Sequence, residues 1–583
     1  MALPPGLAYL SRTLPVLLLP SAAGFGLLQR FYTLQWWIPY VAAVVAQPAM
    51  LILNILLSLG WERWDARQLG SQRIPTVPDV PGGFRSLKTL GEFAHFGYPA
   101  EAIRRWMEQL DSHTILCRLL FENRIFTTEP NYVKAILATD FNNYWKGPVE
   151  GHRGAALLGS GVFNTDDEMW KFHRGMTRPF FSRDRISDFD TFDKHAKEAL
   201  DQTVARLSEG FPVDFQDVVS RFTLDSATKF LFGHSVDSLS AGLPYPNYAS
   251  ERTSATFLDH PSNKFVDAFM DGQQFHVDRS RFGSKWELNE FWEDKVMAQR
   301  KVQSWIASLI PSLMALWHKS PVAASKKEMW TAKTPKVYWN SWSKALKAHK
   351  QVIRDEILNM LVAGRDTTAA TLTSSLYMLA EHPRISDRLR SEILNTVGNN
   401  RPTHEDIKKM PYLRAFLNET LRMYPPVPVD GRTSKKATTW PVASPGLPLY
   451  VPANTKIIYS VFLMHRRTDL WGPTALEFDP DRFIDDRLHK YLTPNPYIFL
   501  PFNAGPRICL GQQFAYQEAS FFLIRLLQRF STFHLASDAQ PEGTLPPKSW
   551  ETCPYKKHEK VTFGGNLTMY FKGGLWATMV DAS

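Results

Sequence analysis

The residues most suited to chemistry lie in one short stretch, 501–511, which reads PFNAGPRICLG. Apolar residues recur at helical spacing over 513–530, so the sequence predicts a helix directly after this stretch. Cys509 therefore lies just before a helix N-terminus, where free N–H groups and the helix dipole favour a thiolate over a thiol. Gly505 and Gly511 allow tight turns and the close approach of a flat ligand. Such a thiolate can bind iron, although a buried free cysteine is the simpler explanation of one cysteine alone.

The complete spacing of this stretch resembles the haem-binding loop of the cytochrome P450 family. The residues that carry the resemblance are Phe502, Gly505, Arg507, Cys509 and Gly511. The resemblance implies that the chain binds haem b, that the Cys509 thiolate is the axial ligand of the iron, and that the other four residues surround the cofactor. In such sites the thiolate pushes electron density onto the iron and favours cleavage of the O–O bond.

A second stretch with chemical potential lies inside a long helix predicted over 351–382. Its middle reads AGRDTT, in which glycine, acid and hydroxyl residues weaken a helix. The hydroxyl of Thr367 can bond back to the carbonyl of Ala363 and bend the helix, which is the simpler role for one threonine. The stretch also resembles the oxygen-activation motif of P450s. That resemblance implies that Thr367 positions the proton that reaches the distal oxygen and that Asp366 relays protons from solvent.

The resemblance also assigns a role to a tryptophan and three arginines. Trp170 and Arg174 lie four positions apart, on one face of a predicted helix, and alone they would be an aromatic residue packed beside a solvated arginine. In P450s the matching pair contacts a haem propionate, and indole N–H and guanidinium groups are good donors to carboxylates. The resemblance implies the same role for Arg432 and Arg507.

A helix predicted over 410–424 carries Glu419 and Arg422, which are three positions apart and can pair on its surface. An exposed pair of this kind contributes only about 0.3–0.5 kcal/mol. In the resembling family this pair binds an arginine of a Phe-x-Pro-x-Arg-Phe stretch, here residues 478–483. The implied role is structural, on the proximal side of the haem pocket.

The first residues differ in character from the rest of the chain. Residues 36–60 hold no charge over 25 positions, more than the ~20 that span a bilayer as a helix, and Trp and Tyr bracket them as an interfacial belt does. Residues 14–28 are also apolar but contain two prolines, which fits a second span, a re-entrant piece or a signal sequence. Three arginines follow the main span and place the remainder of the chain in the cytosol by the positive-inside tendency: Arg63, Arg67 and Arg73.

These elements predict two parts. Residues 1–83 form a membrane anchor, with its main span at 36–60 and a proline-rich hinge, and residues 84–583 form the catalytic domain. The pattern after residue 83 is mostly helical with short strand pairs, among them a hairpin predicted over 447–461. The expected fold is mainly α with small β-sheets, as in a cytochrome P450 behind an N-terminal transmembrane anchor. P450s of the endoplasmic reticulum membrane have this plan, with the catalytic domain in the cytosol.

Composition limits the kinds of partner that the chain is expected to bind. The net charge is +10 without a basic low-complexity run, so nucleic-acid binding is not indicated, and a basic surface suits an acidic redox protein or anionic lipid. The three cysteines are scattered, which predicts neither a disulfide framework nor a zinc site. The sequence has no GxGxxG fingerprint and thus no evident nicotinamide or flavin site, so electrons must come from another protein.

One segment departs from the family pattern. Residues 308–350 are rich in Trp, Lys and Pro, where such enzymes have an amphipathic helix. Residues 338–342 read YWNSW, which codons for Leu-Leu-Glu-Leu-Leu could give one base out of frame. A compensated frame slip or a wrongly assigned exon is therefore one hypothesis for this segment.

The resemblance covers residue 83 to the C-terminus, and finer motifs point to a fungal, basidiomycete-like microsomal branch near alkane and fatty-acid hydroxylases. It implies a haem-thiolate monooxygenase that inserts one oxygen atom from O2 into an apolar substrate by hydroxylation or epoxidation. The implied redox partners are NADPH–cytochrome P450 reductase and cytochrome b5. By family position, the expected pocket walls are Val362, Ala363, residues 427–429 and residues 570–575.

Two alternatives remain open at this point. The first is an enzyme of the same fold that isomerises peroxides or uses them directly, but such enzymes often lack the acid and threonine seen at Asp366 and Thr367. The second is a membrane-anchored haem sensor or scaffold without catalysis, which would need no proton relay.

Overall fold

The computed structural model describes residues 4–31, 35–95, 97–181, 189–232, 235–291, 346–442 and 446–582. The frame-slip hypothesis for 338–342 falls outside these residues. The helices in the described part are α1 Pro5–Phe31, α2 Ile38–Gln68, α3 Phe84–His95, α4 Glu101–Gln109, α5 Pro130–Lys134, α6 Pro148–Leu158, α7 Asp167–Thr177, α8 Phe189–Ser208, α9 Phe215–Phe232, α10 Ala255–Asp259, α11 Pro261–Phe282, α12 Leu346–Glu381, α13 Pro383–Val397, α14 His404–Lys408, α15 Pro411–Met423, α16 Val461–Met464, α17 Thr468–Trp471 and α18 Gln512–Arg529.

Short strands make up the small sheets that accompany these helices. They are β1 Thr114–Leu119, β2 Glu122–Thr127, β3 Tyr144–Trp145, β4 Val213–Asp214, β5 Val429–Ser434, β6 Thr438–Trp440, β7 Leu449–Val451, β8 Lys456–Ser460, β9 Phe530–Leu535, β10 Phe563–Gly565, β11 Met569–Phe571 and β12 Trp576–Asp581. The largest described sheet has the order β1-β2-β8-β5-β3, with β2 and β8 parallel. The predicted fold class, mainly α with small sheets, is confirmed.

The central element is α12, whose 36 residues extend about 54 Å at 1.5 Å per residue. It is continuous through the AGRDTT stretch and ends two residues before Pro383, where the sequence predicts its end. Four of its hydroxyls donate to the carbonyl four residues earlier, for example Ser375 to Thr371 at 2.8 Å. Around it packs an apolar core whose fully buried members include Phe222, Leu372, Phe416 and Phe522.

The predicted hairpin over 447–461 is wrong, although both of its strands exist. β7 pairs antiparallel with β6, whereas β8 lies between β2 and β5 in the large sheet. The turn between them is held by Ser434, whose hydroxyl donates to the carbonyl of Pro452 at 2.6 Å, so the chain bends across β5 into a different sheet. The proline-rich connector is likewise bound rather than free, since the Val77 N–H donates to the carbonyl of Leu116 at 2.8 Å.

Glu419 and Arg422 of α15 form a buried ion pair, not the surface pair expected from the sequence. Both side chains have 0% exposure, and the guanidinium binds the carboxylate through two bonds of 2.6 and 2.8 Å. Arg422 also donates to the carbonyls of His465 and Ala475, both at 2.7 Å. Arg482, the arginine of the 478–483 stretch, lies 3.5 Å from Glu419, as the family resemblance implies.

Removing Arg422 should therefore cost far more than removing a surface arginine. We expect Arg422→Met to lower the free energy of unfolding by about 3–5 kcal/mol, because it removes both short charge-assisted bonds to the buried Glu419 carboxylate and leaves only Arg482, at 3.5 Å, as its cationic partner. Arg388→Met is the matched control, since the Arg388–Asp481 pair reaches the same segment but is about half exposed, and its loss should cost less than ~1 kcal/mol. Chemical denaturation of both variants measures the difference, and equal losses would contradict the role assigned to the buried pair.

Candidate functional site

Cys509 lies on the wall of a large internal cavity, three residues before α18 begins. Its backbone N–H donates to the carbonyl of Phe502 at 3.0 Å, which closes the loop. Gly505 has a φ of 68°, and a Cβ there would overlap the carbonyl oxygen of Leu137, so only glycine fits this turn. Gly505 supports the loop from behind and does not line the cavity, whereas Gly511 lines it with an ordinary φ of −86°. Gly511 does lie in a turn, as expected, but that turn does not need the positive φ that only glycine adopts readily.

Opposing influences act on the Cys509 thiol, whose side chain is exposed on the cavity wall. The surrounding protein raises its pKa by desolvation, while the Gly511 N–H and the charge of Arg174 act in the opposite direction. Binding a metal cation deprotonates a coordinating thiol, so the sulfur becomes anionic as part of a metal site.

The middle of α12 forms another part of the cavity wall. Ala363, Gly364 and Thr367 line the cavity, and the Thr367 hydroxyl donates to the carbonyl of Ala363 at 2.6 Å, as predicted. The Thr367 oxygen remains able to accept a further hydrogen bond. The cysteine and the threonine therefore line one chamber.

Asp366 does not line the cavity, although it is adjacent to Thr367. One carboxylate oxygen accepts a bond from Arg365 at 2.6 Å, and the other accepts one from the Gln273 amide at 2.7 Å. Gln273 is completely buried in α11, and its own oxygen accepts from the Leu567 N–H at 3.4 Å. Sequence reasoning missed Gln273, because nothing in the pattern of α11 indicates that it reaches α12.

A cationic rim follows one edge of the cavity. Arg432 binds Asp430 through two contacts of 3.0 Å, and Arg507 binds Asp166 at 2.7 Å. Burial tends to raise the pKa of Asp430, but Arg432 and Lys146 hold that pKa below its ordinary value. Burial, together with the repulsion from Arg432, lowers the pKa of Arg507 to about 10. Positive charge therefore exceeds the negative charge that faces it.

Trp170 and Arg174 extend this rim from α7. The guanidinium of Arg507 lies 4.6 Å from the centre of the Trp170 ring, and that of Arg174 lies 5.8 Å from it. Both residues line the cavity, so the four predicted propionate ligands are brought together: Trp170, Arg174, Arg432 and Arg507.

Lys146 completes the rim and was not found from the sequence. Among the described residues, its ammonium group has no carboxylate within ion-pair distance, and it lines the cavity next to Arg432 and Arg507. Burial, opposed by Asp430 and reinforced by the two arginines, lowers the pKa of Lys146 to about 8. A single lysine between β3 and α6 has no sequence signal that separates it from a surface lysine.

The cavity encloses about 1370 Å³. Val362, Ala363 and residues 427–429 line it, as expected. Residues 570–575 do not, and that expectation is wrong: residues 563–569, at the tip of the β10–β11 hairpin, form the wall instead. The cavity continues past Lys456 and Glu150 to the end of α2, where Trp61 and Asp65 line it.

These residues fit a flat, doubly anionic metal cofactor. A cysteine suits the metal on one face, and a rim with more cations than carboxylates suits two acidic groups at the edge. Haem b has both features, an iron and two acidic groups, and its two propionates would lie against Lys146, Arg432 and Arg507. The donor set thus agrees with the cofactor that the sequence implies.

The geometry defines a class of protein: a helical protein that presents a cysteine to a metal cofactor beneath a long, hydroxyl-bearing helix. Comparison with known proteins specifies it further, because the family model for cytochrome P450 matches residues 81–553. The chain belongs to the cytochrome P450 family and is a monooxygenase. This result sets aside the alternative of a haem sensor without catalysis.

Several curated relatives support the assignment. The chain is 37% identical to cytochrome P450 monooxygenase pvhE of Talaromyces variabilis over 440 residues, which cover 72% of this chain and 76% of the relative. It is 34% identical to cytochrome P450 52-M1 of Starmerella bombicola, over 74% and 80% of the two chains. It is 35% identical to cytochrome P450 52A3-A of Candida maltosa, over 73% and 77%. All three relatives are fungal proteins, and the family assignment that the motifs indicate is thus confirmed.

The position of Lys146 predicts a role in holding the cofactor. We expect Lys146→Met to speed haem transfer to an acceptor apoprotein by roughly 10–100-fold, the equivalent of one charge-assisted hydrogen bond of about 1.5–3 kcal/mol. Lys146→Arg should restore slow transfer because it keeps the charge. Lys134→Met removes an exposed lysine and should leave the rate unchanged. An unchanged rate in Lys146→Met would show that this lysine does not bind the propionates.

Proposed function

We propose that this chain is a haem-thiolate monooxygenase that inserts one oxygen atom from O2 into an apolar organic substrate, by hydroxylation or epoxidation. The observation that carries the proposal is that Cys509 and Thr367 line one largely apolar cavity. NADPH–cytochrome P450 reductase, with cytochrome b5 as a second donor, would supply the electrons. The membrane of the endoplasmic reticulum is the proposed location, with the catalytic domain in the cytosol.

In this proposal each site residue has a defined task. Cys509 would bind the iron through its sulfur, while Lys146, Trp170, Arg174, Arg432 and Arg507 would hold the propionates. Bound haem supplies the redox chemistry that cleaves O2, and the chain supplies position and protons. Phe502 supports the cysteine loop through its ring, whose centre lies 5.1 Å from that of Tyr516 in α18.

Proton supply is the proposed task of α12. Thr367 is already oriented, because its hydroxyl hydrogen is committed to the Ala363 carbonyl and its oxygen lone pairs face the cavity. A water that donates to this oxygen is held at a fixed point above Cys509. Asp366 would carry protons from solvent, and it must first leave one of the two bonds that hold it, to Arg365 or to Gln273.

The proposed substrate class follows from the residues that line the cavity and from those at its mouth, the part of the cavity near the end of α2. The chamber between α9, α12 and the β10–β11 tip is apolar, with Phe230, Leu231, Val362, Leu567 and Met569 among its lining residues. Toward the mouth the described cations are already engaged: Arg124 donates to the carbonyls of Ser280 and Arg281, and Lys456 binds Glu150 at 2.6 Å. With these cations occupied, the mouth favours an uncharged, extended hydrocarbon over its carboxylate.

The reductase would dock on the face that carries the cysteine loop. Exposed cations of α5, α7 and α15 surround this face and suit an acidic flavoprotein: Lys134, Lys171, Arg178 and Arg414. Electrostatic steering of this kind weakens as salt is added, so turnover with reductase should fall with ionic strength.

The direct test is oxygen incorporation by membranes that contain the full chain and its reductase. With NADPH and labelled O2, we expect one labelled atom in each product from n-alkanes and less product from fatty acids of equal length. Cys509→Ser should abolish both product and the carbon monoxide spectrum typical of thiolate-ligated haem. Cys553→Ser, at a half-buried cysteine outside the cavity wall, should retain both. Label from water, or product from Cys509→Ser, would overturn the proposal.

A second test isolates proton delivery. Thr367→Ala should lower product formation by roughly 10²-fold, a loss within the range of general acid catalysis, while NADPH oxidation continues and peroxide accumulates. Ser375→Ala is the matched control, because Ser375 makes the same backbone bond in α12 but does not line the cavity. Product and NADPH use that fall together in Thr367→Ala would instead indicate a structural role.

A further inference from the structure

The first two helices, α1 and α2, form an antiparallel pair. Many of their large apolar side chains lie on the outside of the pair, the reverse of the arrangement in a soluble protein. The half-buried residues of the two helices include small ones such as Gly24 and Ala46, and Ser21 donates to the Ala43 carbonyl at 2.7 Å. One aromatic pair joins them, because the rings of Phe25 and Tyr40 lie 5.0 Å apart. Large apolar side chains point away from the contact, as with Leu18 at 56% and Val44 at 74% exposure. Small residues at helix contacts and large apolar residues outside are typical of helices surrounded by lipid.

Both helices are long and apolar enough to cross a bilayer, and their most apolar stretches are not buried in the protein. In α1, 17 residues without charge separate Arg12 from Arg30, about 26 Å of helix. That length approaches the ~30 Å of the hydrocarbon core, and both arginines can reach the interface with their long side chains. The sequence left open whether this stretch is a span, and the helical pairing with α2 favours a span.

The catalytic domain contacts only one end of the pair among the described residues. At the start of α1, Arg12 binds Glu287 at 2.6 Å, and the Gly6 N–H donates to the Glu290 carbonyl at 3.1 Å. At the end of α2, Glu62 accepts a bond from Asn123 at 2.6 Å, and Asp65 accepts one from Tyr450 at 3.1 Å. The first turn of α1 and the last turns of α2 therefore lie on the same side.

Charge and aromatic residues give this arrangement an orientation. The end beside the catalytic domain carries Arg12, Arg63 and Arg67, whereas the far end carries Arg30. Trp36 and Trp37 lie at the far end of α2, and Trp61 and Trp64 lie at the near end. The positive-inside tendency places the near end in the cytosol, and the two tryptophan pairs mark the two interfaces.

We propose that α1 and α2 cross the membrane together as a helical hairpin, with the start of α1 on the cytosolic side, beside the catalytic domain. The loop between Phe31 and Ile38 then lies in the lumen. This topology rests on the proposed location in the endoplasmic reticulum. It differs from a single span with a lumenal N-terminus, from a re-entrant α1 and from a cleaved signal sequence.

Glycosylation mapping of the full chain distinguishes these topologies. One variant carries an Asn-x-Thr acceptor on a flexible linker inserted between Gln35 and Trp36, and a second carries the same acceptor and linker ahead of Met1. We expect glycosylation of the first variant and none of the second, whose tag should be cleaved by protease added to intact microsomes. Asn418 and Asn566 lie in natural acceptor sequences of the catalytic domain and serve as internal controls that stay unmodified.

Each other outcome overturns the hairpin. Glycosylation of the N-terminal tag would show a single span with a lumenal start, an unmodified loop tag would show that α1 does not cross, and a missing N-terminal tag would show a cleaved signal. The carbon monoxide spectrum and the product are measured in the same microsomes. If the glycosylation pattern contradicts the hairpin but activity is intact, the proposed function stands and the topology is wrong. If the pattern fits the hairpin but activity is absent, the topology stands and the proposed function is wrong.

Discussion

Glu419 is the buried charge that the rest of this structure must accommodate. A carboxylate with no exposure costs several kcal/mol unless it is fully bound, and here Arg422, the Asp479 N–H at 2.8 Å and Arg482 surround it. These partners come from α15 and from the long loop after α17, so one carboxylate fixes the distance between the two segments. The polar cluster is central to the fold because each partner would be costly if it were left alone.

The same cluster reaches the cysteine loop through His465. Burial and the charge of Arg422 lower the pKa of His465 to about 3, so its ring stays neutral. A neutral ring can donate from one nitrogen and accept at the other: Nδ1 bonds the carbonyl of Arg422 at 3.1 Å, and Nε2 accepts from the Leu500 N–H at 3.0 Å. Leu500 directly precedes the loop that bears Cys509. The buried pair is thus linked by hydrogen bonds to the residue that precedes the cysteine loop.

The sequence allowed prediction of the elements whose roles depend on local pattern. The bounds of α12, α15 and α18 could be predicted to within a few residues because prolines and apolar periodicity mark them. Gly505 could be recognised as a turn and Thr367 as a back-bonded hydroxyl, because both effects involve neighbouring residues. The burial of Glu419 could not be predicted, since only the segments after α16 cover it.

The predictions that failed depend on contacts between residues that are far apart in the sequence. β7 and β8 have strand-like composition, but Ser434 on a third strand decides that they enter different sheets. Lys146 and Gln273 have no local signal, because their roles arise from Arg432 and Asp366 more than 90 positions away.

The membrane helices and the cavity are parts of one arrangement. Glu62 and Asp65 hold the end of α2 against the large sheet and its neighbour, and both residues also line the cavity mouth. The mouth must therefore lie where α2 leaves the bilayer, at the depth where apolar molecules concentrate. A hydrocarbon can then pass from lipid into the chamber without crossing bulk water, so the hydrophobic effect that holds it in the membrane does not oppose entry. Near this end of the cavity Arg124 binds backbone carbonyls and Lys456 binds Glu150, so neither cation needs a charged substrate as a partner. The position of the anchor thus supports the proposed apolar substrate class, as the walls around Thr367 do.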